Sequence, residues 1–89
     1  MTRRECLETA EHMVNGDREH DYGTPEDNFK TIAGLWSAYL GKEISSLDVA
    51  MLMALMKIAR IKAGTKPDSF VDLAGYAACG AEIAGGGKS

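Results

Sequence analysis

An excess of basic residues is the first thing this chain lacks: 10 lysines and arginines stand against 13 aspartates and glutamates, a formal charge of −3. A protein that grips a phosphate backbone needs a basic surplus or stripe, so nucleic acid is not the expected partner. Long hydrophobic runs are missing too. None approaches the roughly 20 apolar residues that span a bilayer, and the opening Met1-Thr2-Arg3-Arg4-Glu5 carries no apolar leader segment. No membrane is expected, and the cytoplasm is the expected compartment. Cysteine occurs only as Cys6 and Cys79, far apart and among apolar positions of helical spacing. Two buried thiols in a reducing compartment is the plain reading; a redox or metal role is the other. Strand alternation, internal repeats and domain linkers are absent as well, which leaves helical periodicity as the organising pattern.

At 89 residues the chain forms one domain, near the size below which a single core needs help. The expectation is one helical domain over residues 1–84 and a flexible tail over 85–89. The tail ends Gly87-Lys88-Ser89 but has no first P-loop glycine, no preceding strand and no following helix, so it is not read as a phosphate loop.

Helix ends are marked clearly. Thr2 and Glu5 form a capping box, and Cys6, Leu7, Ala10, Met13 and Val14 follow at helical spacing until Gly16, placed for a left-handed stop. Thr24 caps a second helix, with Pro25 at its first position and Glu26 and Asp27 at its positive end. Phe29, Ile32, Ala33, Trp36, Tyr39 and Leu40 give it one apolar face up to Gly41. A third helix opens at Ser45 with Asp48 and closes at Gly64; between them Leu47 to Ile61 leaves almost no polar face. A helix that is apolar all round must be covered, and four helices offer little cover. A homo-oligomer assembled through residues 46–63 is therefore expected. The fourth helix should start after Pro67 with Asp68 or Ser69 as cap, and Ser69 with Asp72 could form another capping box. Gly75 and Gly80 within it imply a tightly packed neighbour, a helix or a ligand, because glycine costs about 1 kcal/mol against alanine inside a helix. The fold class is all-α, a compact four-helix bundle.

Chemistry concentrates between the first two helices, in Asp17-Arg18-Glu19-His20-Asp21-Tyr22-Gly23. Turn formation explains Asp21 and Gly23, but not Arg18, His20, Tyr22 or the nearby Asn28. On the third helix Lys57 and Arg60 share a face, and arginine's planar fork suits phosphate oxygens. If the 17–23 segment folds over that face, an anion pocket with an aromatic wall results. Alternatively, Lys57 and Arg60 form a solvated stripe or pair with Asp72 and Asp48 across helices. Glu8, Glu11 and His12 could in principle ligate a metal, and equally form the wet side of the first helix.

The order Asp17-Arg18, Asp21-Tyr22-Gly23, Asn28-Phe29, Ile32-Ala33, Leu35-Trp36, Asp48-Val49-Ala50, Lys57-Ile58-Ala59-Arg60 and Asp72-Leu73-Ala74-Gly75-Tyr76 resembles a family of small uncharacterised proteins encoded by phages and prophages. That resemblance covers nearly the whole chain and implies a phage or prophage origin. More distantly, the chain is similar to the all-α nucleotide pyrophosphohydrolases of the MazG type, small helical oligomers that hold magnesium with carboxylate pairs on two helices. Asp72 looks similar to the aspartate of their second pair, and Tyr76 follows as an aromatic often does there. Ser69 stands where that pair has glutamate, and Lys57 and Arg60 occupy the helix that would carry the first pair.

Two functional expectations follow. One is a phosphate-containing small molecule, a nucleotide, held by Arg18, His20, Tyr22, Asn28, Lys57, Arg60, Asp72 and Tyr76, with Mg²⁺ as a further possibility and, if there is catalysis, pyrophosphohydrolase-like chemistry. The other is a non-enzymatic interaction module of a phage programme, whose charged loop contacts another protein.

Overall fold

Three of the four helices start at the side-chain caps that the sequence marks. A computed structural model of the chain describes residues 1–16 and 24–86. Within them lie α1 (Arg3–Asn15), α2 (Pro25–Leu40), α3 (Ser46–Ala63) and α4 (Pro67–Ala84), and no strand. The Thr2 hydroxyl accepts from the Glu5 N–H at 3.1 Å, and the Glu5 carboxylate accepts the Thr2 N–H at 2.7 Å. Thr24 Oγ1 accepts the Asp27 N–H at 3.2 Å, and Ser45 and Asp48 exchange the same reciprocal pair at 3.0 and 2.9 Å. Each cap satisfies N–H groups that a first helical turn leaves unpaired.

Two helix ends differ from expectation. α4 begins at Pro67 itself, with Lys66 as N-cap and no side-chain cap bond, so neither Asp68 nor Ser69 caps it and no Ser69–Asp72 box forms. Proline's preset φ and missing N–H suit the first helical position. The start therefore falls ahead of Ser69, whose side chain is buried and whose N–H bonds the Lys66 carbonyl at 3.1 Å. Gly16 ends α1 at φ −106°, not left-handed. Glycine is needed there for space, because a β-carbon would collide with the His12 carbonyl oxygen. Gly41 does take the left-handed conformation, at φ 66°, and donates its N–H to the Ser37 carbonyl at 2.9 Å.

Ser37 does more than end α2. Its hydroxyl accepts the Ile44 N–H at 2.8 Å and donates to the Ile44 carbonyl at 3.2 Å, closing the turn between α2 and α3 in a half-buried setting. Both bonds vanish in Ser37→Ala, which should cost about 1–2 kcal/mol. A fall in melting temperature of roughly 4–8 °C per kcal/mol is the expected reading in a domain of this size; an unchanged melting curve would show the turn holds without the hydroxyl.

Packing centres on the α3–α4 pair, the most extensive helix contact; α1 lies against α4, and α2 lies against α3 and touches α4. The core joins Phe29 and Ala33 of α2, Val49, Ala50 and Ala54 of α3, and Tyr76 and Cys79 of α4. The two α4 glycines mark close approaches: a β-carbon on Gly75 would meet Val14 Cγ1 at 3.1 Å, and one on Gly80 would meet Met51 Cε at 2.8 Å. Helices, not a ligand, fill the space at both. Cys79 is buried and Cys6 half-buried, and neither forms a disulfide.

The apolar faces extend further than their cover. Leu7 of α1 is exposed, as are Leu40 and Tyr39 at the end of α2, where Tyr39 reaches 90% exposure. Periodicity identifies a face but not how far the neighbouring helix runs along it. On α3, Met51, Leu52, Leu55, Met56 and Ile58 all reach solvent in the single chain.

Candidate functional site

Lys57 projects from α3 toward α4, where its Nζ lies 2.9 Å from Asp72 Oδ2. The two side chains are 11% and 23% exposed, so the pair is largely shielded at the seam of the two helices while still reachable from solvent. This is the cross-helix pairing read from the sequence as one alternative. It compensates both charges internally, which removes the argument that Lys57 needs an external counter-ion. An ammonium has three N–H donors, so the pair leaves Lys57 with hydrogen-bonding capacity toward a further acceptor.

Asp72 leads along α4 to Tyr76, one turn on, which is buried. Its ring lies 6.2 Å from that of Phe29, centre to centre, with the planes tilted by 35°. Tyr76 therefore packs in the core with Phe29, and Asn28 is half-buried in the first turn of α2. Arg60 is exposed and has no ion-pair partner among the described residues. It falls with Lys62 in the last turn of α3, where positive charge complements the helix dipole. Structure thus brings together Lys57 and Asp72, with Tyr76 one turn further along α4. Arg18, His20 and Tyr22 lie outside the described residues.

Electrostatics elsewhere is that of the caps. Glu5 and Asp48 have their carboxyls held below the ordinary range, first by the backbone N–H of Thr2 and Ser45 respectively, then by the same residues' hydroxyls. No buried side-chain nitrogen or oxygen among the described residues lacks a hydrogen-bond partner. Glu8, Glu11 and His12 are exposed on α1, and among the described residues no three His, Cys, Asp or Glu side chains converge as a metal site would require. At the positions compared with the MazG type, Asp72 is paired with Lys57, and Ser69 and Arg60 carry no carboxylate. No described helix is long and apolar enough to cross a membrane.

An open groove of about 540 Å³, unmarked by any sequence signal, runs between the starts of α1 and α4 and is lined by Met1, Cys6, Leu7, Thr65, Pro67 and Phe70, among others. It shares no residue with the Lys57–Asp72 seam. Leu7, one of the helically spaced apolar residues of α1, lies on its wall.

The chain belongs to the family described as a domain of unknown function, DUF6378, which matches residues 5–84. It is 58% identical over 74 residues to the Gene 55 protein of Mycobacterium phage D29, and 49% identical over 73 residues to the Gene 55 protein of Mycobacterium phage L5. Those alignments take in 82% and 80% of this chain but 49% and 47% of the relatives. The chain thus spans about half the length of the curated relatives it matches. No solved structure matches it. Kinship with phage-encoded proteins is supported by both relatives, whose names carry no activity.

Proposed function

We propose that the chain binds a phosphate-containing small molecule, of the nucleotide class, over the α3–α4 seam at Lys57. The observation that carries this reading is the Lys57–Asp72 pair: the carboxylate fixes a long, otherwise mobile ammonium in one place, 2.9 Å away, without closing it off from solvent. Asp72 is then a positioning residue. The remaining N–H donors of Lys57 meet a phosphate oxygen, and Arg60, one turn further along α3, brings a planar five-donor fork to the same ligand. With Asp72 included, the three side chains sum to one positive charge, a local surplus within an acidic chain. Arg18, His20 and Tyr22, which lie outside the described residues, are proposed as further ligand contacts on their chemistry alone. Binding is the proposed activity.

A panel of nucleoside mono-, di- and triphosphates, pyrophosphate and phosphate, each with and without Mg²⁺, tests the reading by thermal unfolding. Ligand at 100 times its Kd stabilises the folded chain by about 2.7 kcal/mol, a rise of roughly 10 °C or more for a domain of this size. A flat panel on well-folded protein would contradict it.

A further inference from the structure

Two rows of residues run along the outer face of α3, joined at both ends and in the middle. One is Asp48, Met51, Leu55, Ile58, Lys62; the other is Asp48, Leu52, Leu55, Ala59, Lys62. Their spacings of three and four residues place them on one side of the helix. Every member is exposed, Leu55 by 58%, whereas Val49, Ala50 and Ala54 face the core. What distinguishes the rows is their residue types, with apolar side chains through the middle and opposite charges at the two ends. Reversing the chain direction about Leu55 turns each row into the other: Met51 exchanges with Ala59, Leu52 with Ile58, and Asp48 with Lys62.

We propose that this face is the dimer interface of the protein, with a second copy of α3 packed antiparallel across a two-fold axis through Leu55. A two-fold interface must be self-complementary, each contact occurring twice. Here Leu55 meets its own symmetry mate and Leu52 packs on Ile58 of the second copy, while Met51, whose Cε lies against Gly80 of α4, borders the contact beside Ala59. At both ends the Asp48 carboxylate faces the Lys62 ammonium of the second copy. Asp48 uses Oδ2 for the Ser45 N–H, which leaves its other oxygen for that lysine. The parallel alternative would set Asp48 against Asp48 and Lys62 against Lys62, so charge selects the antiparallel arrangement. It also places the positive end of each α3 beside the negative end of the other. Cover for an otherwise all-apolar helix and supplementary burial for a small core come from the same contact. This interface stands independently of the phosphate reading.

Light scattering on the full chain after size exclusion, at high micromolar concentration, should give twice the 9.6 kDa chain mass. Leu55→Glu puts two carboxylates against each other from one substitution and should weaken the dimer by at least roughly a hundredfold, like charges across an interface being strongly unfavourable. Because Leu55 is exposed in the single chain, helical circular dichroism should be retained. For the register, Leu55→Cys in a Cys6→Ser background should form a disulfide-linked dimer under mild oxidation, while Glu43→Cys, beyond the end of α3, should not. A wild-type mass of one chain overturns the proposal, as does a dimer indifferent to Leu55→Glu, or a Leu55→Cys dimer that fails to cross-link. Those results would assign the face to another occupant or to solvent.

Discussion

Asp72→Ala lowers the unfolding free energy by about 2–3 kcal/mol, because it strands the Lys57 ammonium at a shielded helix seam. The figure sits below the ~3–5 kcal/mol of a fully buried pair, since Lys57 and Asp72 retain 11% and 23% exposure and water can partly replace the lost partner. Lys57→Met with Asp72→Leu behaves differently. Both charges leave together, apolar contact takes their place, and the double variant stays near wild-type stability or gains slightly. Urea unfolding of the two variants measures the contrast. A loss in Asp72→Ala no larger than the few tenths of a kcal/mol of an exposed pair would show that the seam is wet and the pair incidental.

Phe29→Ala has the larger effect, about 3–4 kcal/mol. Phe29 is buried among Ala33, Val49, Ala54 and Tyr76, and most of those neighbours are small and cannot move inward to fill the space left behind. Against a typical total of about 5–15 kcal/mol, one substitution removes much of the margin of a domain whose only fully buried large side chain among the described residues is Val49. Thermal unfolding followed by circular dichroism should fall by at least roughly 12 °C. Phe29→Leu should recover most of it, since the aromatic contact with Tyr76, tilted at 6.2 Å, adds only about 1 kcal/mol beyond buried area. Should Phe29→Ala melt within a few degrees of wild type, α2 would not be part of the cooperative core.

Local chemistry was legible in the residues; the reach of long-range contacts was not. The Thr2–Glu5 and Ser45–Asp48 boxes, the Thr24 cap and the Gly41 stop all act within four residues of chain, so spacing alone reveals them. The start of α4 differs from the sequence expectation because proline at the first helical position and a polar residue at the cap are competing signals, and Pro67 prevails. The Ser37–Ile44 bonds escape pattern reading because nothing in a lone serine announces a partner seven residues away. Gly75 and Gly80 announced close neighbours, and Val14 and Met51 are there. Tyr39, Leu40 and Leu7 belong to periodic apolar faces but lie past the end of their cover. At the candidate site, Lys57 and Arg60 share a helix face by spacing, yet only the packing of α4 shows that Lys57 turns inward to Asp72 while Arg60 stays in solvent. Tyr76 follows Asp72 by one turn in the sequence, and the packing of α2 on α4 sets its ring in the core beside Phe29.

The decisive comparison is the Lys57→Met, Asp72→Leu double variant beside the wild-type chain in the nucleotide panel. Folding should be preserved in that variant, as its urea unfolding checks, so a change in ligand response reports on the seam and not on a damaged scaffold. The account predicts that the best phosphate-bearing ligand raises the melting temperature of the wild type and leaves the double variant unmoved. An equal rise in both proteins would place the ligand elsewhere and contradict the role given to Lys57.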